Sequence, residues 1–103
     1  MKARKFLPLP CVLLLLLSSC GGQDVVTYSE YRRIRPNMPI DQVERIIGHK
    51  GRVANDDKSD GAIIPNPGEI VYAWQNKDGS NLSVVTLNGK VVSMSETGLS
   101  LYP

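Results

Sequence analysis

The sequence is poor in residues that carry out chemistry. It holds one histidine, His49, and two cysteines, Cys11 and Cys20, and aromatic residues make up only 6% of its 103 positions. Both cysteines fall within the first 20 residues, so the rest of the chain must fold without a disulfide. No thiol remains beyond them to act as a nucleophile, and a single histidine among scattered serines lacks the ordered third partner that a triad needs. Charge of one sign is scarce as well. The formal net charge is +2, but three of the twelve Lys and Arg residues (Lys2, Arg4 and Lys5) precede an N-terminal apolar run, leaving nine against ten acidic residues. Without a basic excess there is nothing to neutralise a phosphate backbone, and nucleic acid is not expected as a partner. A long hydrophobic run is also missing. Phe6 to Leu17 is apolar over 12 residues and interrupted by Pro8 and Pro10, whereas a spanning helix needs roughly 17–25.

What is present at the N-terminus has the layout of a secretory signal: a basic start, the apolar run, then the small residues Ser18 and Ser19. Leu17-Ser18-Ser19-Cys20 resembles a bacterial lipobox. The resemblance implies that residues 1–19 are removed and that Cys20 becomes the first residue, N-acylated and thioether-linked to diacylglycerol. Two or three acyl chains, at ~0.8 kcal/mol per buried CH₂, make such an anchor stable. The alternative is a soluble periplasmic product cleaved near Ser19, with Cys20 a free thiol. Gly21, where Asp would signal retention, resembles the default for delivery to the outer membrane of a Gram-negative host. The expected organisation is a signal over 1–19, a lipidated tether over 20–26 and one domain over 27–103, anchored at the outer membrane and facing the periplasm. From Cys20 to Tyr31 the chain reaches at most about 40 Å, so the domain works close to its bilayer.

The domain is expected to be α+β, with two short N-terminal helices packed on one face of a three-stranded antiparallel meander. Thr27 with Glu30 has capping-box spacing, and Tyr28, Tyr31 and Ile34 recur at helical intervals, which predicts a helix over 27–35 ended by Pro36. Ile40, Val43, Ile46 and Ile47 line one face of a second helix, and Gly48 sits where a left-handed cap belongs. Residues 49–68 read as a long polar loop. Strands are expected over 69–75, 81–87 and 90–96, joined at Asp78-Gly79 and Asn88-Gly89, both strong hairpin signals.

Two-residue turns flanked by pairs 77/80 and 87/90 would set the register and sort the side chains by face. Ile70, Tyr72, Trp74, Val85, Leu87, Val92 and Met94 then share the core side. Val71, Ala73, Gln75, Leu82, Val84, Thr86, Val91 and Ser93 share the other. With little chain left to cover it, this second face is a candidate partner-binding surface; an ordinary solvent face, its valines chosen for strand propensity, is the alternative.

Taken in order, Tyr31-Arg32-Arg33-Ile34-Arg35-Pro36-Asn37-Met38-Pro39, Gln42-Val43, Ile47-Gly48, Tyr72-Ala73-Trp74-Gln75-Asn76, Asn88-Gly89-Lys90-Val91 and Gly98-Leu99 form a pattern over residues 28–99. It resembles the SmpA/OmlA (BamE-like) small outer-membrane lipoproteins and the related repeats of β-lactamase inhibitory protein. Two positions depart from that pattern. Asn37 stands at the motif's glycine, where Asn is tolerated because it visits left-handed backbone readily, and Pro39 replaces the usual Ser or Thr cap with a preset φ. The resemblance implies a non-enzymatic protein–protein interaction module of the cell envelope, with a role in outer-membrane assembly or integrity.

Other chemistry is weakly signalled. The carboxylates Asp56, Asp57, Asp60 and Glu69 lie in or beside a polar loop that offers little desolvation. Asp56 to Gly61 starts like a calcium loop, but Lys58 and Pro67 occupy positions that need oxygen ligands. Arg32, Arg33 and Arg35 form a basic cluster smaller than a lipid-binding polybasic segment, and His49 is expected to cap carbonyls or face water. No catalytic residue, metal ligand or cofactor is assigned. The expected partners are the membrane, through acyl chains on Cys20, and an envelope protein. The alternative function is an inhibitor-like or ligand-sensing protein that binds through the 49–68 loop.

Overall fold

A computed structural model describes residues 24–58 and 62–101. The signal segment and Cys20 lie outside these residues, as do Asp60 and Gly61 of the calcium-like stretch. Among the described residues, two short helices and a four-stranded antiparallel sheet form an α+β fold. The elements are α1 (Tyr28–Tyr31), α2 (Ile40–Ile47), β1 (Arg52–Val53), β2 (Glu69–Gln75), β3 (Asn81–Leu87) and β4 (Lys90–Thr97), with sheet order β1-β2-β3-β4. Among the described residues, no helix is long and apolar enough to cross a membrane.

The helix starts follow local chemistry. The Thr27 hydroxyl accepts from Glu30 N (3.2 Å) while Glu30 Oε1 accepts from Thr27 N (3.0 Å), closing the predicted capping box. The helix is shorter than the expected 27–35. Arg33 N and Ile34 N bond back only three residues, to Glu30 O and Tyr31 O, so the turn tightens before Pro36 and drops Ile34 into the core at 1% exposed. Asn37 is left-handed (φ 71°), and it redirects the chain along the start of β4. There Asn37 N donates to Val91 O, Val91 N to Met38 O and Ile40 N to Gly89 O. This seats α2 against the β3–β4 turn. Gly48 closes α2 at φ 85°.

β1 corrects the expectation of three strands. Arg52 pairs with Ala73 and Val53 with Tyr72, after which the Asn55 side chain continues the ladder, its amide donating to Glu69 O and accepting from Val71 N. The outer edge of β2 is thereby blunted by a two-residue strand and one side chain, which protects it from pairing with another chain.

The register corrects the face assignment. Asn76 N donates to Ser80 O and Gly79 N to Asn76 O, so the β2–β3 turn holds three residues, Lys77-Asp78-Gly79, with Gly79 at φ 92°. Trp74 therefore pairs with Leu82 and Tyr72 with Val84, one residue away from the register a two-residue turn would give. The β3–β4 turn is two residues, as expected, with φ 53° at Asn88 and 78° at Gly89. An irregularity between Val85 and Thr86 then gives β4 one extra residue: Thr86 pairs with Val91 but Val85 with Ser93. The first shift turns Leu82, Val84 and Val91 toward the helices, and the second pairs Met94 with Val84 on the same face. Leu82, Val84 and Val91 join Val26, Ile34, Val43, Ile47, Trp74 and Leu99 in the main core, with Tyr72 and Met94 packed against it. Ile70, Leu87 and Val92, expected inside, are 39–47% exposed, and Val85 is buried on the opposite face with Ala54 and Val71.

The Asp78 carboxylate orders the β2–β3 turn by accepting from Ser80 Oγ (2.5 Å) and Ser80 N (2.9 Å). These two bonds hold its pKa below the ordinary 3.8, the side-chain bond contributing most. A depressed carboxylate stabilises the fold above the unfolded-chain pKa, and the effect vanishes as pH falls through the folded-state value. Asp78→Ala should therefore lower the melting temperature at neutral pH, with the gap to the parent narrowing below the unfolded value of 3.8; thermal unfolding at neutral and strongly acidic pH checks this.

Trp74 fixes the end of α2. Its indole Nε1 donates to His49 O (2.9 Å), and Gly51 N donates to Glu44 Oε2 (3.0 Å), bringing the Gly51 backbone against the indole ring. A Cβ added at Gly51 would lie 2.7 Å from Trp74 Cζ2 and 3.0 Å from Tyr72 Cβ. Since Trp74 is 2% exposed, the ring has little room to retreat. Gly51→Ala is expected to cost about 1–3 kcal/mol in a denaturant titration, as overpacking does.

Candidate functional site: a cleft on the sheet face opposite the helices

The sheet face turned away from α1 and α2 carries a cleft of about 260 Å³. Its floor follows from the register. Arg52, Ala73, Ser83 and Ser95 are aligned across the four strands, and because three of these side chains are small the row forms a trough. On one side stands the apolar pair Val71 and Val85, on the other the polar row Gln75, Asn81 and Thr97. Arg52, Ala54, Asp57, Ala62 and Ile63 make the wall: Ala54 is buried on Val71 and Val85, with Ile63 packed beside it.

At the rim, Arg52 Nη1 and Nη2 reach Asp57 Oδ1 (3.1 Å) and Oδ2 (3.2 Å) in a fork-on-fork pair. Asp57 raises the guanidinium pKa, chiefly through the hydrogen bond. Both side chains are well exposed, at 59% and 39%, so the pair contributes under about 1 kcal/mol and serves more to hold the wall in place than to stabilise the fold. Among the described residues, the side chains of Ser83, Ser95, Thr97 and Gln75 make no hydrogen bonds inside the cleft, and Asn81 makes one, to Gly79 O. Among the described residues, none of the three hydroxyls is bonded to an imidazole or carboxylate, and all three can donate or accept hydrogen bonds.

The seven residues expected to form one partner surface are divided between the two faces. Val71, Ala73 and Gln75 do lie along the cleft. Leu82, Val84, Thr86 and Val91 are 0–2% exposed on the other side of the sheet, packed under the helices, and cannot meet a partner. The one-residue difference in the β2–β3 turn causes this division. Arg52 and Asp57 were missed because the 49–68 stretch reads as a loop without a partner, and Ser83, Ser95 and Thr97 because they come together on this face only in the observed register. The alternation of Asn81 and Ser83 with Leu82 and Val84 was the available signal: it already favours Leu82 and Val84 as the inward pair.

The other sequence candidates are dispersed. His49 is exposed beside α2, in a shallow groove with Asp41, Glu44, Arg45, Gly48 and Lys50. Arg32, Arg33 and Arg35 are exposed, Arg35 Nη1 donating to Arg32 O. Asp56 is exposed and Glu69 half-buried, its carboxylate accepting from Asn66 N. Among the described residues, no group of three or more His, Cys, Asp or Glu could hold a metal ion. Cys20 lies outside the described residues. No family model, curated protein or solved structure matches the chain.

Proposed function

We infer that the protein is a lipid-anchored, non-enzymatic binding module of the bacterial cell envelope. Acyl chains on Cys20 hold it at the periplasmic face of the outer membrane, where it engages an envelope protein. The lipobox-like Leu17-Ser18-Ser19-Cys20, placed a few residues before a folded domain, carries this reading. The BamE-like pattern extends it to outer-membrane assembly or integrity. Binding runs through the cleft rather than a bare sheet face, which is supported by the side chains of Ser83, Ser95, Thr97 and Gln75, without a hydrogen-bond partner among the described residues, beside the apolar pair Val71 and Val85. Arg52, Ala54, Asp57, Ala62 and Ile63 of the 49–68 stretch thus act with the sheet as one surface.

Two measurements test the reading. Cys20→Ala should move the protein from the membrane fraction to the soluble periplasm; unchanged fractionation would contradict the anchor. A photoreactive residue at Ser95, exposed at the mouth of the cleft, should crosslink to one discrete envelope protein in intact cells, and the adduct should disappear when Ser83→Trp fills the trough. Adducts that persist with the trough filled would rule out the cleft as the binding surface.

A further inference from the structure

Beyond whether the domain is anchored lies the matter of which end meets the lipid, and the geometry decides it for a tether this short. The chain entering the domain is clamped at Val26, which is 0% exposed. Val26 N donates to Asn76 Oδ1 (3.0 Å) and Asn76 Nδ2 donates to Val26 O (2.8 Å), so one buried side-chain amide reproduces a strand-like pair with the incoming backbone. Asn76 is itself fixed by its bonds to Ser80 Oγ and Ser80 O. The tether therefore leaves the domain beside the Lys77-Asp78-Gly79 turn. The exit of β4 lies at the same end: Gly98 sits against Ser80, Leu99 is packed in the core with Val26, and Leu101, two residues further, is 66% exposed. The Asn88-Gly89 turn and the start of α2 lie at the opposite end of the antiparallel strands.

Cys20 is six residues from Val26, a reach of at most about 21 Å when fully extended. Seven-residue strands are about 24 Å long. A domain standing on its Asn88 end would place Val26 farther from the leaflet than the tether extends. We propose that the domain stands with its β2–β3 turn toward the lipid headgroups, Lys77 and Leu101 at the interface, and the Asn88-Gly89 turn directed into the periplasm. This rests on the anchoring reading above and adds an orientation to it. The occupant of this end is a lipid leaflet: Leu101 offers an exposed apolar side chain and Lys77 a flexible cation, the pair that suits a headgroup boundary. One consequence concerns the cleft. Its Gln75–Asn81–Thr97 row is adjacent to this end, so a partner entering the cleft is itself held near the membrane.

No cysteine follows Cys20, so single cysteines introduced at Lys77, Leu101 and Lys90 can each carry an environment-sensitive fluorophore in the full lipidated protein. The protein is reconstituted into phosphatidylethanolamine–phosphatidylglycerol vesicles containing a headgroup-nitroxide lipid. Quenching is expected to be several-fold stronger at positions 77 and 101 than at 90. Equal quenching, or stronger quenching at 90, would overturn the orientation, as a domain lying on its side or inverted would give. Inserting a long Gly/Ser stretch between Gly22 and Gln23 leaves the fold untouched and should erase the contrast; a contrast that survives the insertion would also overturn the proposal, since the tether would then not set it. Protein that fails to float with the vesicles would remove the anchoring reading and the orientation together, whereas floating without contrast removes the orientation alone.

Discussion

Leu82→Ala should destabilise the domain by about 2–5 kcal/mol, the range for emptying a buried leucine site, while Leu87→Ala should change stability by only about 0.5 kcal/mol, as at an exposed position. Leu82 is 0% exposed, among Trp74, Val84 and the α2 residues Val43 and Ile47, whereas Leu87 is 41% exposed at the β3–β4 turn. The two leucines lie on the same strand five residues apart, and a one-residue slip exchanges their environments. A two-residue β2–β3 turn would thus predict the reverse result. Trp74, the only tryptophan and 2% exposed, reports unfolding directly. Urea titration of the parent and both variants, followed by its fluorescence, decides the register. A domain of this size has a net stability of only about 5 kcal/mol or somewhat more, so loss of the Leu82 side chain should leave a measurable unfolded population without denaturant.

The second large effect is expected at Asn76. It is 4% exposed and makes three side-chain hydrogen bonds, two of them to the backbone of Val26. Asn76→Ala removes the partners of a buried N–H and a buried C=O, at about 1–3 kcal/mol for each orphaned group. A total near 3 kcal/mol corresponds to a fall in melting temperature of about 12 °C or more for a domain of this length. Asn76→Asp should be nearly as harmful: a carboxylate can accept from Val26 N but cannot donate to Val26 O, and burial opposes its charge. Thermal unfolding of both variants checks this. A fall no larger than that at an exposed site would show that the incoming chain is not fixed at Val26.

These two residues also show which parts of the fold can be read in the sequence and which cannot. Local signals translate directly. The Thr27–Glu30 capping box, the left-handed Gly48 after Ile47, the Asn88-Gly89 turn and the extents of β2 and β3 depend on neighbours in sequence, and each is present at the expected place. What fails depends on contacts that sequence spacing does not encode. Asp78-Gly79 suggests a two-residue turn, but Asp78 binding Ser80 and the Asn76–Ser80 backbone pair lengthen it by one. The choice is tipped by Asn76, whose amide is needed 50 residues away at Val26. The extra residue in β4 arises where the 37–40 segment takes up the outer edge of Val91. β1 is two residues long and carries too little alternation to be recognised, although Gly51 before it is demanded by the Trp74 ring.

The candidate cleft was only half legible for the same reason. Val71, Ala73 and Gln75 follow from β2 alone, whereas Ser83 and Ser95 join them only once the true register is known, and Arg52 and Asp57 only once β1 exists. The turn chemistry decides which residues remain outside the core, and Ala54 and Ile63 become part of a wall because they have Val71 and Val85 to pack against.

Intact mass spectrometry of the exported protein, isolated from membranes, tests the central claim most directly. The account predicts a chain that begins at Cys20, lacks residues 1–19, and carries the added mass of a diacylglyceryl thioether and an N-linked acyl chain. A chain bearing an unmodified thiol at Cys20, or one still carrying residues 1–19, would contradict it.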